Sequence, residues 1–426
     1  MNHLLESLVS TEKKYADPLW DFRSADTKRH THCFHNYPAM MIPQIAGALL
    51  DKYGAGAKLL FDPYCGSGTS LVEASLRGID SVGTDINPLA RLMSSAKTSF
   101  LPIDELDGLI TEFGDMIFCL GFSCEKDLKP TLPNFRNIDF WFSPIVKMKL
   151  AHVLQFIGTI EDIGIQSFFK VCFSETIRKA SWTRNGEFKL YRITEKQREI
   201  FDPDVFKIMV ANLYRARNGL KSYMYDAKGR TAAKVFGFNT VEGIPDNVLQ
   251  RESVDIIVTS PPYGDSRTTV AYGQYSRLSL EWLGFEDAGK IDSMLMGGKK
   301  PNNSEKFKTY YLSEIVSTLS SKDPKRTEDV ISFYKDYEAS ISHVAPLLKK
   351  GGISCYVVGN RKVKGLVLPT DEITVELFKT RGFSHLETII RNIPNKRMPS
   401  RNSPSNVTGE LEDTMTQEFI VVMRKD

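Results

Sequence analysis

One stretch of the chain restricts the fold more than any other, because it alternates strand and helix signals around a glycine-rich turn. The apolar run KLLF (Lys58–Phe61) predicts a buried strand, which stops at DPYCGSGTS (Asp62–Ser70). A helical pattern follows and ends at Gly78, and DSVGTDINP (Asp80–Pro88) predicts a second strand ending in an acidic residue. Strand, glycine turn, helix, strand and acid are typical of the front half of a nucleotide-binding, Rossmann-like α/β sheet.

The glycine-rich turn differs from two common phosphate-binding loops. No lysine follows Gly68, and Leu71 stands where the dinucleotide fingerprint has its third glycine. Gly66 and Gly68 would let the backbone approach a ligand closely, and Asp85, 17 residues beyond Gly68, would accept hydrogen bonds from two ribose hydroxyls. A ligand with a ribose and no required phosphate points to S-adenosylmethionine, whose cationic amino group Asp62 would hold or hydrate. An ordinary strand–helix turn is the alternative interpretation.

A second motif, TSPPY (Thr259–Tyr263), ends the apolar strand VDIIVT (Val254–Thr259). Two prolines fix two φ angles, so the acceptor groups around them are held rigidly. The Ser260 hydroxyl and the Pro261 carbonyl would accept hydrogen bonds from an exocyclic amine and favour a pyramidal nitrogen with its lone pair free. The ring of Tyr263 would stack on the base, which helps to hold a base out of a duplex. A proline-terminated strand with a packed tyrosine is the structural alternative.

Together, DPYCGSGT and TSPPY resemble the motifs of the DNA amino-methyltransferases, which modify cytosine at N4 or adenine at N6. FHNYPAMMIPQIAGALLDKYG (Phe34–Gly54) resembles the segment that precedes the cofactor strand in this family and covers the methionine end of the cofactor. LLKKGGISCYVVGN (Leu347–Asn360) resembles a later helix–strand segment. The resemblance covers roughly residues 30–100 and 230–426. It implies a Rossmann-like S-adenosylmethionine-dependent methyltransferase sheet carrying a large helical insertion.

The resemblance also implies residue roles. The cofactor pocket would be formed by Tyr37, Asp62, Pro63, Cys65, Gly66, Gly68, Thr69, Asp85 and Ile86. The catalytic loop would be Ser260, Pro261, Pro262 and Tyr263. The family's adenine enzymes mostly carry Asp or Asn in place of Ser260, so serine favours cytosine N4. Cys65 is expected to be a packing residue, because amine methylation needs no covalent adduct with the base. No metal is expected.

The whole sequence divides into three segments that form two predicted parts. Residues 1–100 and 229–426 are predicted to form the catalytic domain, and residues 101–228 a mainly helical insertion. The predicted helices are Ser143–Asp162, Ser167–Ser181, Asp204–Asp226 and Ile331–Gly352. The further predicted strands are Ala233–Phe238, Val254–Thr259, Gly352–Asn360 and Glu418–Lys425. The stretch 264–325 is predicted to be irregular, and a long irregular stretch in a compact domain is often functional.

Double-stranded DNA is the expected partner, and three regions are candidates for contacting it. Residues 264–325, beside the catalytic loop, would read bases. Lys179–Ile193, where basic and aromatic residues alternate, would either read bases or pack as an amphipathic segment against the sheet. The basic, polar segments Gly297–Lys308, Ser320–Arg326 and Arg391–Pro404 are predicted to be exposed loops, the last of them contacting phosphate. The net charge of +3 is only mildly basic, so the prediction of DNA binding rests on these local clusters of basic residues.

Composition narrows the class of protein further. The six cysteines form no CxxC pair, so neither a zinc site nor a disulfide framework is indicated. No signal peptide and no membrane-spanning run are recognised, so a cytoplasmic bacterial protein is expected. The first hypothesis is an N4-cytosine methyltransferase of a restriction–modification system with a separate cognate endonuclease. Adenine-N6 DNA methylation, RNA exocyclic-amine methylation and a non-catalytic nucleic-acid-binding module are the alternatives, and the oligomeric state stays open.

Overall fold

The computed structural model describes residues 13–122, 130–263, 272–298, 307, 309–393, 401–402, 412–413 and 415–426. Its strands, in chain order, are β1 Lys14–Ala16, β2 Leu59–Asp62, β3 Asp80–Thr84, β4 Ala233–Phe236, β5 Val254–Thr259, β6 Leu348–Val358, β7 Arg361–Val363, β8 Leu366–Leu368, β9 Phe383–Asn392, β10 Arg401–Asn402, β11 Glu412–Asp413 and β12 Gln417–Lys425. The strands β7 and β8 pair only with each other, as do β10 and β11.

The other strands form an eight-stranded sheet in the order β1-β9-β12-β6-β5-β2-β3-β4. All neighbours are parallel except those of β12, which runs antiparallel to both β6 and β9. From β2 the chain proceeds outward to β3 and β4, whereas from β5 it proceeds in the opposite direction to β6. The strand order therefore reverses between β2 and β5, and such a reversal opens a crevice at the carboxyl ends of the strands. The predicted Rossmann-like α/β class is confirmed.

The α-helices, in chain order, are α1 Pro43–Tyr53, α2 Thr69–Leu76, α3 Pro88–Thr98, α4 Ile103–Phe122, α5 Ile138–Trp141, α6 Pro144–Thr159, α7 Ile163–Ala180, α8 Glu195–Glu199, α9 Val205–Asp226, α10 Tyr272–Trp282, α11 Ile291–Met294, α12 Tyr310–Ser320, α13 Pro324–Val344 and α14 Thr370–Lys379. Short 3₁₀ helices occupy Pro18–Asp21, His30–Cys33 and Ala345–Leu347. No helix in the described part of the chain is both long and apolar enough to cross a membrane.

The helices between β3 and β4 begin where the sequence supplies capping side chains. Asp162 accepts a hydrogen bond from the Ile165 amide at 2.7 Å, and Asp204 accepts one from Lys207 at 3.2 Å. Such caps satisfy amide groups that the first turn of a helix leaves free. The buried faces of α6, α7 and α9 share one apolar core with α3 and α10. These helices thus form a layer that packs against α3 and α10.

Two predictions about secondary structure are wrong. The helix predicted to reach Gly352 ends at Val344, and β6 already begins at Leu348. Pro346 lies between them and has no amide hydrogen, so it cannot continue the α-helical hydrogen-bond pattern. The 3₁₀ helix Ala345–Leu347 links α13 to β6. The stretch 264–325 is also more regular than predicted, because α10, α11 and α12 occupy much of its described part.

Among the elements with no counterpart in the sequence predictions are β1 and β9 of the main sheet and the helix α14. In addition, Arg391, predicted to begin an exposed loop, is the penultimate residue of β9 and is only 4% exposed. Residues 394–400 and 403–404 of that predicted loop, and residues 299–306 and 308 of the segment Gly297–Lys308, lie outside the described residues. Residues 321–323 form the turn between α12 and α13.

Candidate active site

A cleft opens where the strand order reverses, at the carboxyl ends of β2, β3, β4 and β5. Its empty space, including the open mouth, is about 910 Å³. Of the residues singled out in the sequence, those that line the cleft are Tyr37, Asp62, Pro63, Cys65, Gly66, Thr69, Asp85, Ile86, Ser260 and Pro262. Gly68, Pro261 and Tyr263 do not line it. The fold thus brings both motifs to one crevice although nearly the whole helical layer separates them in sequence.

Asp62 lies at the end of β2 and is only 3% exposed. Its Oδ1 accepts a hydrogen bond from the Tyr64 amide at 3.1 Å and another from the Thr259 hydroxyl at 2.5 Å. Burial raises the pKa of the Asp62 carboxyl to about 6, and these hydrogen bonds oppose the rise. A carboxylate held in this way has a strong preference for a cationic partner, because a nearby cation stabilises its ionised form.

Asp85 follows β3 at the other side of the glycine turn. Its Oδ2 accepts a hydrogen bond from the Gly66 amide at 3.1 Å, and its Oδ1 accepts one from the Asn87 amide at 2.8 Å. Burial raises the pKa of this carboxyl to about 6 as well. The carboxylate therefore joins the glycine turn to the start of α3, while one of its sides borders the cleft.

The two glycines of the turn serve different needs. Both have positive φ angles, 48° at Gly66 and 81° at Gly68, and residues other than glycine rarely adopt such angles. Gly66 lines the cleft, and the Ser94 hydroxyl donates a hydrogen bond to its carbonyl at 2.8 Å. A Cβ at position 68 would lie 2.9 Å from the Ser94 Cα, so Gly68 allows α2 and α3 to approach each other.

Cys65 is 5% exposed and packs behind the turn. A Cβ at Gly83 would lie 2.9 Å from the Cys65 Cβ, so the glycine in β3 makes room for this side chain. Burial raises the pKa of the Cys65 thiol well above its usual value, with Asp85 and Asp62 adding to the effect. A thiol that stays protonated is a poor nucleophile, which agrees with the packing role expected for Cys65.

The TSPPY motif begins where β5 ends. Ser260 borders the cleft, and its Oγ lies 3.1 Å from the hydroxyl of Tyr263. That hydroxyl donates to Glu418 Oε1 at 3.1 Å. The ring of Tyr263 packs close to Gly359, where an added Cβ would come within 2.8 Å of Cδ2. Burial, with Glu418 adding to it, raises the pKa of the Tyr263 phenol well above its usual value, so the hydroxyl keeps its proton.

Comparison with known proteins identifies the family. A family model described as "RMKL-like, methyltransferase domain" matches residues 29–99, which include α1, β2, α2, β3 and α3. Type II methyltransferase M.MvaI from Kocuria varians is 38% identical over 444 aligned residues, covering 99% of this chain and 97% of the relative. The chain belongs to the type II DNA methyltransferases of restriction–modification systems.

Two further comparisons were found. Type II methyltransferase M.MjaII from Methanocaldococcus jannaschii is 32% identical over 389 residues, which cover 72% of this methyltransferase and 71% of that one. Among solved structures, the rRNA methyltransferase AviRa from Streptomyces viridochromogenes aligns over 92% of this chain and 88% of its own, with a TM-score of 0.35 and 10% identity.

Membership in this family implies S-adenosylmethionine as the methyl donor, and the chemistry of the cleft fits that group. An ionised carboxylate has about four lone-pair sites. Asp62 and Asp85 each accept two hydrogen bonds from the protein, so each retains acceptor capacity for a ligand. Within the described ranges, no group of three or more His, Cys, Asp or Glu side chains is arranged to hold a metal ion.

Several residues that line the cleft of this methyltransferase were not predicted from its sequence. Asn87, only 1% exposed, donates hydrogen bonds to the Tyr37 hydroxyl at 3.0 Å and to Ser276 Oγ at 2.6 Å. Its side chain also caps α3 by accepting from the Leu89 amide at 3.1 Å. Asn87 therefore ties the segment before α1 to α10, and the only sequence signal for it was its place before Pro88 at a helix start.

Other unpredicted lining residues come from more distant elements. They are Phe238, Asn239, Thr240 and Val241 after β4, Tyr272 at the start of α10, and Leu295 and Met296 after α11. The first group was in principle predictable, because the end of a third parallel strand must lie at the same edge of the sheet. Tyr272 packs against Tyr37 with ring centroids 5.8 Å apart. No local pattern points to Tyr272, Leu295 or Met296.

Proposed function

We propose that this type II methyltransferase methylates the exocyclic N4 of cytosine in a base turned out of the DNA duplex. The observation that carries the proposal is the position of Ser260, which borders the same cleft as Asp62 and Asp85. A hydroxyl at this position is a neutral acceptor for an amine hydrogen. The modified DNA would be protected from a separate cognate endonuclease of the same restriction–modification system.

On the cofactor side, Asp85 would accept hydrogen bonds from the ribose hydroxyls and Asp62 would face the cationic amino group. Tyr37, Pro63, Gly66, Thr69 and Ile86 would shape the rest of this part of the cleft. When bound, S-adenosylmethionine supplies an electrophilic methyl group. Because burial has already raised the pKa of both carboxyls to about 6, a cationic ligand would stabilise the ionised form of Asp62 strongly.

On the base side, the Ser260 hydroxyl and the Pro261 carbonyl would accept hydrogen bonds from the exocyclic amine. An aromatic amine is a poor nucleophile because its lone pair is delocalised into the ring. Hydrogen bonds that hold its two hydrogens out of the ring plane favour a pyramidal nitrogen, and positioned dipoles of this kind stabilise developing charge. Pro262 keeps the loop stiff. Tyr263 does not line the cleft, so its proposed role is the contact of its hydroxyl with Ser260, in place of the stacking on the base that was predicted from the sequence.

The DNA would be held on the side of the cleft formed by the helical layer. We define the basic segment as residues 178–199, which contain seven Lys or Arg and three Glu. Its middle is a hairpin closed by the pairing of Thr183 with Arg192. Phe188 of this hairpin lies 6.3 Å from the ring of Tyr275, which in turn lies 6.0 Å from Tyr37 in the cleft wall.

This packing sets the basic segment on the side of the cleft that contains Tyr37. Arg178, at its beginning, stacks over Tyr275 at 3.8 Å, whereas Arg184 is exposed. Exposed cations beside a catalytic cleft fit the phosphate backbone of DNA, which supplies most of the affinity of such complexes. Of the other predicted contact region, 264–325, residues 264–271 and 299–306 lie outside the described residues.

The deciding experiment is a methylation assay with labelled S-adenosylmethionine on DNA from a host that lacks methylation, followed by digestion to nucleosides and mass spectrometry. Labelled N4-methylcytosine is the expected product. Ser260→Ala should abolish most of the label, because one positioned hydrogen-bonding group contributes about 100-fold or more to such reactions. Ser253→Ala, the same change just before the amino end of β5, is the matched control and should retain activity.

The other products have distinct meanings. Labelled N6-methyladenine would overturn the cytosine assignment and leave the cleft assignment in place. Label on RNA in preference to DNA would contradict the DNA substrate. Cofactor binding without transfer to any nucleic acid would indicate a binding module rather than an enzyme.

A further inference from the structure

Four polar side chains form a continuous chain from the cleft along the carboxyl edge of the sheet to the end of β9. Ser260 Oγ lies 3.1 Å from the Tyr263 hydroxyl, and the Tyr263 hydroxyl donates to Glu418 Oε1 at 3.1 Å. The other oxygen of Glu418 forms an ion pair with Arg391. Glu418 was not singled out in the sequence as a functional residue, and Arg391 was named only as the first residue of a loop predicted to contact phosphate. Neither residue lines the cleft.

The far end of this chain is rigid. Glu418 in β12 stands directly opposite Arg391 in β9, since the antiparallel register pairs the two residues. Arg391 also donates to the Trp20 carbonyl at 2.8 Å and to the Asp21 carbonyl at 3.2 Å. Its guanidinium has no acceptor and is always charged. Arg391 and Glu418 are 4% and 17% exposed, so their pair is largely shielded from water.

The hydrogen atoms along the chain can be assigned from these partners. The carboxylate of Glu418 only accepts, so the single hydroxyl hydrogen of Tyr263 is used on Glu418. The contact between Tyr263 and Ser260 then requires Ser260 to be the donor. With its own hydrogen directed to Tyr263, Ser260 presents only lone pairs to the cleft that it borders.

We propose that Glu418, held by Arg391, is a positioning residue that makes Ser260 a hydrogen-bond acceptor toward the target amine. The inference rests on the proposed function, because an amine hydrogen is the group that this acceptor would meet. A serine without such a constraint can rotate its hydroxyl hydrogen toward the amine, and the two donors would then repel each other. Glu418 thus gives a neutral serine the fixed acceptor character that a carboxylate or amide oxygen has by itself.

The substitution Glu418→Gln keeps the shape of the side chain but lets an amide group donate to Tyr263. The hydroxyl hydrogen of Tyr263 is then free to turn toward Ser260. In that arrangement the hydroxyl hydrogen of Ser260 can turn toward the cleft, and Ser260 is no longer held as an acceptor. Tyr263→Phe removes the hydroxyl and keeps the aromatic ring that packs against Gly359. Both changes should lower the single-turnover rate of methyl transfer about tenfold, the effect of losing one hydrogen bond to a charged group. Neither should change the Kd for S-adenosylmethionine.

A double-mutant cycle on this rate tests the inference. If Glu418 acts through Tyr263, then Glu418→Gln should have no further effect in the Tyr263→Phe background. Gln417→Ala is the matched control, since the neighbouring Gln417 is exposed and contacts Asn392 at 3.3 Å. It should leave the rate unchanged. Urea unfolding of each variant, with cofactor affinity, establishes that the cycle compares folded proteins.

The outcomes separate this inference from the proposed function. Additive effects of the two substitutions, or a Glu418→Gln variant that changes only KM for DNA, would overturn the positioning role even if the product is N4-methylcytosine. Full coupling with N6-methyladenine as the product would support the positioning role and refute the cytosine assignment. A Glu418→Asp variant with a rate closer to that of the wild type than to that of Glu418→Gln would further support a requirement for an accepting carboxylate.

Discussion

Thr259 donates a 2.5 Å hydrogen bond to the carboxylate of Asp62, a residue 197 positions away in the sequence. The bond joins the last residue of β5 to the last residue of β2, the two strands between which the sheet order reverses. It therefore connects the proposed cofactor site directly to the residue that precedes the catalytic loop. Both sites depend on the same pair of neighbouring parallel strands.

The first prediction concerns pH and cofactor binding. Burial raises the pKa of Asp62 and of Asp85 to about 6. A carboxyl is neutral below its pKa, so affinity for S-adenosylmethionine should fall as the pH is lowered through about 6, by up to roughly tenfold per pH unit for each carboxyl involved. Isothermal titration calorimetry between about pH 5 and about pH 7 measures this.

A second ligand assigns the effect to one carboxyl. 5′-Methylthioadenosine has the ribose but lacks the amino group, so its affinity should keep only the pH dependence that Asp85 contributes. The dependence for S-adenosylmethionine should be steeper. Equal slopes for the two ligands would show that Asp62 does not face the amino group.

The second prediction concerns Lys97 in α3, which has no exposed surface and no hydrogen-bond partner for its amine within the described residues. Burial lowers its pKa to about 7. The unfolded chain, with the ordinary pKa of 10.5, binds this proton more tightly. The contribution of Lys97 to the free energy of unfolding should therefore be most unfavourable below about pH 7 and should improve as the pH rises to about 10.5.

Replacement of Lys97 by methionine removes this cost. Lys97→Met should raise the free energy of unfolding by at least about 1 kcal/mol near neutral pH, with a smaller gain at higher pH. Urea denaturation at two pH values tests both statements. Lys207→Met, which changes an exposed lysine in α9, is the control and should give no such gain. A destabilised Lys97→Met protein would indicate that the amine has a favourable role.

The third prediction compares two glycines with similar backbone angles, φ of 81° at Gly68 and 78° at Gly56. An added Cβ at Gly56 has no heavy atom within 4 Å, whereas at Gly68 it would lie 2.9 Å from the Ser94 Cα. Gly56→Ala should cost about 1 kcal/mol from backbone strain alone. Gly68→Ala should cost clearly more and should weaken cofactor binding. Equal losses in urea denaturation would refute the packing argument.

The fourth prediction concerns DNA binding by the basic segment. Arg184 and Lys196 are both exposed. Replacing both with alanine should weaken DNA binding and reduce the slope of log K against log salt by about 2, because each phosphate contact contributes about 0.9. The control is Arg251→Ala with Lys350→Ala, an exposed basic pair near the amino ends of β5 and β6. An unchanged slope in the Arg184 and Lys196 variant would place the DNA elsewhere.

Much of the architecture was predictable because it depends on local pattern. The strands β2, β3 and β5 and the helices α6, α7 and α9 lie close to the predicted segments. Such elements are specified by apolar periodicity, glycine turns and capping residues, and these signals all lie within or next to the element itself. The placement of most predicted site residues in one cleft follows from a single rule, the gathering of strand ends at one edge of a parallel sheet.

Predictions failed or were absent where the deciding contact is distant in sequence. The strand β9, which pairs with β1 and β12, was missed. Asn87 gains its importance only from Ser276, and Glu418 only from Tyr263 and Arg391. None of these partners lies within the range over which local patterns carry information.

Local sequence patterns were therefore enough to predict the α/β class, the two motifs and the residue types available for binding a ribose, an amino group and an exocyclic amine. Which side chains meet, such as Asp62 with Thr259 and Tyr263 with Glu418, became evident only from the folded chain. Strand order and register, which arise from burial of whole sheet faces and helices, set these contacts between residues 197 and 155 positions apart. Local propensity contains no term for such contacts.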